Sequence, residues 1–249
     1  MIKRMLLREV EYARPESIEE AVRLLGAHDG ARALAGGQTL VNVMKARAAS
    51  PEVAAARPIL AEIAATIADR QVQNRGTVGG NVCVNDPTNH LPPLFAAIGA
   101  SFTIVAPGGE RTVPADEFFL GVYLTAVGEG ELLTRVTLPA VASGSGDAME
   151  GVTLGVHGTY IVSAAATVGE GRVRVAIGCV SGVPERATAL EERLSGVELT
   201  PEAVHAAVAG IGDALDPPSD VHAPADYRRR LAEVCCERAV LAAAARAKG

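Results

Sequence analysis

Two pairs of adjacent glycines constrain this chain more than any other feature: Gly36-Gly37 in AGGQTL and Gly79-Gly80 in TVGGN. A backbone stripped of two successive Cβ atoms must bend into a conformation that other residues avoid, or lie against something bulky. The first pair follows a short expected strand, Ala31 to Ala35, and precedes Leu40, Val43, Met44 and Arg47 at helical spacing. The second sits in RGTVGGNVCVNDPTNHLPP, between amphipathic helices expected over Pro58 to Asp69 and Pro92 to Ile98.

Spacing alone leaves two readings for these glycines. They are ordinary turns, since Gly-Gly is a common turn dipeptide. Alternatively they are anion cradles, in which successive N–H groups converge on phosphate oxygens beside a hydroxyl from Thr39 or Thr77. No G-x-G-x-x-G follows a strand and no G-x-x-x-x-G-K is present, so neither a standard dinucleotide fold nor a P-loop is supported.

The remaining composition excludes several function classes. Net charge is −6, and the basic residues gather only at Arg228-Arg229-Arg230. That triplet runs into Leu231, Val234 and Cys235 and reads as the solvated face of a helix, so nucleic acid is not an expected partner. Cys83, Cys179, Cys235 and Cys236 form no C-x-x-C and have no histidine at zinc spacing, so no cluster or zinc is expected on this chain. The longest stretch without Asp, Glu, Lys or Arg, Pro87 to Gly109, is too broken by proline and glycine to span a bilayer. A start charged from Lys3 onward, without an apolar core, points to a cytoplasmic protein.

Local signals give an α+β chain. Ser17 and Glu20 form a capping box before a helix that ends in Gly26 to Gly30. SFTIVAPGGERTV reads as a hairpin, and ELLTRVTLP as a strand closed by Pro139. Ala140 to Asp147 is the best linker. YIVSAAATV and RVRVAIGCV form a second hairpin around Gly169-Glu170-Gly171, and helices finish what reads as a separate C-terminal unit.

AGGQTL and TVGGN, with EVEYARPESIEEAVRLL, GELLTRVTLP and ADYRRRLAEVCCERAV in the same order, resemble the FAD subunits of molybdenum hydroxylases. The similarity is to the medium chains of the carbon monoxide dehydrogenase and xanthine dehydrogenase family, with DPTNHLPP and the Tyr160 region nearest the carbon monoxide branch. The resemblance implies a two-lobed FAD-binding region of the PCMH type, lobes 1–45 and 46–140. A C-terminal α+β domain, 146–249, with a small antiparallel sheet and helices, would follow. It implies FAD held noncovalently, with Ala35, Gly36, Gly37, Gln38 and Thr39 on one side of the pyrophosphate. Thr77, Gly79, Gly80 and Asn81 would lie on the other. Asp86 would bond near the ribityl or ribose hydroxyls, Leu133 would pack on the flavin, and Tyr160 would lie near the isoalloxazine as a gate.

The implied activity is that of an oxidoreductase subunit with no catalytic or metal-binding residue of its own. Electrons would come from 2Fe-2S clusters on a small partner chain, fed by a molybdenum cofactor on a large one, within a dimer of heterotrimers. The complex would be cytoplasmic, or held at the inner face of the membrane through its partners. A cofactor-free assembly scaffold and a self-sufficient flavin oxidase stay open beside this reading.

The chain departs from the family in three places. Near Lys45 it lacks a Val-Asp-Leu type strand and an Ile-Gly-Ala segment, whose loss would leave ladder groups unpaired at about 1–3 kcal/mol each. His90 stands where the family often has an acid near the ribityl chain. The start of the C-terminal unit reads LGVHGTY, with no lysine between Lys45 and Lys248.

Overall fold

The computed structural model describes residues 12–28, 31–34, 56–68, 70–73, 76–155 and 159–249. In the N-terminal part, α1 (Ile18–Ala27) is followed by α2 (Pro58–Thr66), α3 (Arg70–Gln73), α4 (Val78–Val84) and α5 (Leu91–Ile98). Strands β1 (Ser101–Ala106) and β2 (Gly109–Pro114) come next, then α6 (Ala115–Phe118), β3 (Phe119–Gly121), β4 (Leu124–Thr125) and β5 (Leu132–Thr137). Ser17 caps α1 by accepting from the Glu20 N–H, as its sequence requires. The Glu20 carboxylate accepts from Glu16 N–H. Strand β1 pairs antiparallel with both β2 and β5.

The C-terminal part holds a second antiparallel sheet in the order β6–β7–β8–β9. Its strands are Gly146–Thr153, Tyr160–Gly169, Arg172–Gly178 and Glu185–Arg186. Glu170 and Gly171 both take positive φ, 50° and 71°, matching the turn that a right-twisted two-residue hairpin prefers. Then come α7 (Thr188–Leu194), α8 (Pro201–Val208), a 3-10 turn (Ile211–Ala214) and α9 (Ala225–Ala247).

This second sheet is covered on both faces. Val162, Ala164, Ala166, Val175 and Ile177 meet α9, which turns Leu231, Cys235, Ala239 and Ala243 toward them at helical spacing. Met149, Ala165 and Ala176 face the other way, into the core built by α2, α5 and β1. Small side chains there let α5 approach β7 and β8 closely. All eight residues of α5 are buried, with Pro92 and Pro93 at its first positions and Gly99 closing it at φ 77°. All four phenylalanines gather beside it, Phe102 stacking on Phe118 at 4.0 Å between centroids.

Several expectations are corrected. The C-terminal unit is not separate, because its sheet shares the N-terminal core. Residues 31–34 form no strand, and α2 ends at Thr66. Asp147 belongs to β6 rather than to a linker, and Arg57 reaches it through two hydrogen bonds of 2.8 and 2.7 Å. Both side chains are more than nine-tenths buried. Arg228 is also buried rather than solvated: it donates to the carbonyls of Ile161 and Cys179 and pairs with Asp220.

Arginines bolt the two parts together. Arg57 also donates to Pro139 O, and Arg174 donates to the last carbonyls of α5, those of Ala96 and Ala97. Arg186 pairs with Asp116, and Arg246 with Glu62. Arg57→Ala leaves the Asp147 carboxylate buried without its cation, so urea unfolding should show a loss of about 3–5 kcal/mol. Replacing both residues by apolar ones should recover much of that loss.

Candidate functional site

The second diglycine does not form an open nest. Thr77 has extended backbone, φ −135° and ψ 151°, and its Oγ1 accepts from the Gly80 N–H at 2.9 Å. Gly79, Gly80 and Asn81 therefore make the first turn of α4, and Asn81 N–H bonds to Thr77 O. A capped helix start still leaves donors: the N–H groups of Val78 and Gly79 have no partner within the helix, and the Thr77 hydroxyl keeps its own proton. A Cβ built on Gly79 meets no atom within 4 Å, so the space beyond that backbone is open.

Helix α4 ends at Asn85, a left-handed residue at φ 44°, a conformation that asparagine tolerates better than most. Its Nδ2 donates to Gly121 O at 2.7 Å and Gly182 O at 3.2 Å, tying the β3–β4 hairpin to the C-terminal part. Asp86 then closes a turn. One carboxylate oxygen accepts from the Thr88 N–H and hydroxyl at 2.9 and 2.7 Å, and the other from Tyr123 OH at 2.8 Å. The expected ribityl or ribose partner thus meets a carboxylate already engaged by the protein's own groups. Asn89 Nδ2 donates to Asn81 O at 3.0 Å, which folds the turn back against α4.

Two features of this pocket ask for a ligand. Asn81 is 1% exposed, yet its Oδ1 has no hydrogen-bond partner. A buried acceptor left alone is uncommon, and a hydroxyl donor would satisfy it. The free N–H groups at the start of α4 suit an anion instead. A molecule carrying phosphates and hydroxyls fits both, and FAD is such a molecule.

His90 begins α5, and its ring centroid lies 4.2 Å from that of Tyr160, the first residue of β7. Burial lowers the His90 pKa to about 4, so the ring is neutral near pH 7. Burial also raises the Tyr160 pKa, a shift that a hydrogen bond to Thr66 partly offsets. Leu133 is half-buried on β5, the strand on which α4 packs. The structure therefore gathers Thr77, Gly79, Gly80, Asn81, Asp86, His90, Leu133 and Tyr160 around α4, β5 and the start of α5. Ala35, Gly36, Gly37, Gln38 and Thr39 lie outside the described residues, as does His157.

Sequence reasoning missed Thr66, Asn85 and Tyr123. The Asn-Asp-Pro-Thr-Asn run signals a turn, but a bond from Tyr123 to Asp86 across 37 positions leaves no local trace. Burial raises the thiol pKa values of Cys83 and Cys179 to about 12 and of Cys235 to about 11. Among the described residues no three His, Cys, Asp or Glu side chains could hold a metal. No described helix is long and apolar enough to cross a membrane.

Known proteins share this arrangement. The family described as the FAD binding domain in molybdopterin dehydrogenase matches residues 8–55 and 47–141. The CO dehydrogenase flavoprotein C-terminal domain matches 156–243. The carbon monoxide dehydrogenase medium chain of Hydrogenophaga pseudoflava is 35% identical over 279 aligned residues, covering 95% of this chain and 97% of the relative. The nicotine 6-hydroxylase medium subunit of Paenarthrobacter nicotinovorans is 30% identical, covering 97% and 100%. A solved carbon monoxide dehydrogenase from Hydrogenophaga pseudoflava superposes with TM-score 0.90 at 34% identity, covering 97% of this chain and 99% of that one. The 279 aligned positions exceed the chain's 249 residues, so at least 30 have no counterpart here. The two pieces of the FAD-domain match meet at residues 47–55, beside the gap expected near Lys45.

The neutral His90 has a signature in pH. Its pKa in the fold, about 4, lies below the ordinary 6.5, so unfolding takes up a proton between those values and stability falls as pH drops through that window. Comparing unfolding of wild type and His90→Gln from pH 7 to pH 4 should show a steeper loss in wild type, on the order of 2–3 kcal/mol. Parallel curves would contradict a buried neutral imidazole.

Proposed function

Because this chain belongs to the family of FAD-binding medium subunits of molybdenum hydroxylase-type dehydrogenases, we propose that it is the flavin-bearing electron-transfer subunit of such an enzyme. When bound, FAD would supply the redox chemistry, taking electrons from iron–sulfur clusters on a small partner chain and yielding them to an external acceptor. Substrate oxidation would take place at a molybdenum cofactor on a large partner, in a dimer of heterotrimers. The complex would be cytoplasmic or held peripherally at the inner membrane face. The domain limits proposed are 1–45 and 46–140 for the two cofactor lobes and 146–249 for the C-terminal unit.

The observation that carries this reading is the start of α4, where free N–H groups, open space at Gly79 and the orphaned Asn81 acceptor meet. In the proposal Val78 and Gly79 donate to the diphosphate, Thr77 adds its hydroxyl, and Asn81 accepts from a cofactor hydroxyl. The loop Ala35 to Thr39 closes on the diphosphate from the other side. Leu133 packs against the flavin, and Tyr160 screens its ring from water. Asp86 serves by holding the Tyr123 hairpin in place rather than by touching the cofactor. The protein's part is to bind, orient and exclude water, while the hard chemistry belongs to the cofactor.

Purified alone, the chain should take up FAD at micromolar concentration and turn yellow without acting on a substrate. A colourless chain would favour the cofactor-free scaffold, and turnover without partners the self-sufficient oxidase. Gly79→Ala sharpens the test. Without cofactor the added methyl meets no protein atom and improves helix propensity by up to about 1 kcal/mol, so thermal stability should hold or rise. FAD affinity, measured by fluorescence titration, should fall at least about tenfold, a loss of about 1.4 kcal/mol.

A further inference from the structure

Thr66, the last residue of α2, holds a position that the cofactor reading leaves unexplained. Its Oγ1 lies 2.7 Å from Ile63 O and 3.2 Å from His90 Nδ1. A hydroxyl has one proton, and a carbonyl oxygen can only accept, so that proton goes to Ile63. Toward His90, Thr66 is then an acceptor only, and Nδ1 must carry the hydrogen. In a neutral ring the other nitrogen, Nε2, is left with a bare lone pair. Tyr160 lies against the ring at an interplanar angle of 41° and limits its rotation. No described residue hydrogen-bonds Nε2.

We propose that Thr66 is a positioning residue that locks His90 in the Nδ1–H tautomer and makes Nε2 an obligate acceptor for a hydroxyl of the bound FAD. The inference rests on the flavin reading above and adds to it. The bonds from Asn89 to Asn81 and the turn between them set His90 beside Asn81, whose Oδ1 is a second buried acceptor without a donor. Two acceptors in one pocket match a polyhydroxyl chain or a sugar diol better than they match phosphate. Both kinds of hydroxyl occur in FAD, on the ribityl chain and on the ribose, and ADP carries only the second.

The test uses the full chain with 15N-labelled histidine. Long-range proton–nitrogen NMR should place the His90 hydrogen on Nδ1 in wild type and in Thr66→Ser. In Thr66→Val, where the acceptor is gone, it should move to Nε2. FAD titrations should show Thr66→Val weakened about tenfold, the scale of one hydrogen bond, with Thr66→Ser close to wild type. A loss with FAD alone assigns the ribityl hydroxyls, and an equal loss with ADP assigns the ribose; either supports the proposal. A wild-type chain that binds FAD with the hydrogen on Nε2 overturns the lock alone. One that shows the Nδ1–H form but takes up no FAD overturns the hydroxyl contact together with the flavin reading. Unchanged FAD affinity in Thr66→Val, with the tautomer switched, overturns the contact and leaves FAD binding standing.

Discussion

The burial of one antiparallel sheet on both faces fixes everything else in this molecule. Strand β7 offers Val162, Ala164 and Ala166 to one core and Ala165 to the other, and α5 can settle against it only because the side chains between them are small. That contact brings Tyr160 to His90, although they stand 70 positions apart in the sequence. The buried Arg57–Asp147 pair reinforces it from the far edge. Separating the two parts would expose apolar faces and strand ion pairs at once, so the pocket around α4 gains its walls from the packing of the whole chain.

The choice of arginine for these joints has a physical reason. A guanidinium can meet a carboxylate with two parallel hydrogen bonds and still donate to a carbonyl, as Arg57 does with Asp147 and Pro139. Lysine, absent between Lys45 and Lys248, offers no such fork. Chain-terminal carbonyls of α5 are satisfied in the same way by Arg174, which links helix capping directly to the assembly of the two parts.

Much of the fold was legible in the sequence where the signals are local. The Ser17 cap, the Pro107-Gly108 hairpin, the Glu170-Gly171 turn and the prolines opening α5 all depend on neighbours in the chain. The site was legible as a set of residues but not as a geometry. TVGGN reads equally as a nest or as a helix start, and the Thr77 cap decides for the helix. Arg228 looked solvated because its partners, Ile161 and Cys179, lie 67 and 49 positions away. Asp86 looked free for a ligand because nothing near it in sequence announces Tyr123. In each case a long-range partner outweighed the local pattern.

The central claim is that the start of α4 receives the diphosphate of FAD. A crystal structure of the chain grown with FAD tests it most directly. The account predicts diphosphate oxygens within hydrogen-bond reach of the Val78 and Gly79 N–H groups, with Asn81 Oδ1 accepting from a cofactor hydroxyl. Density for the flavin elsewhere, or a water-filled start of α4 in crystals that contain bound FAD, would contradict it.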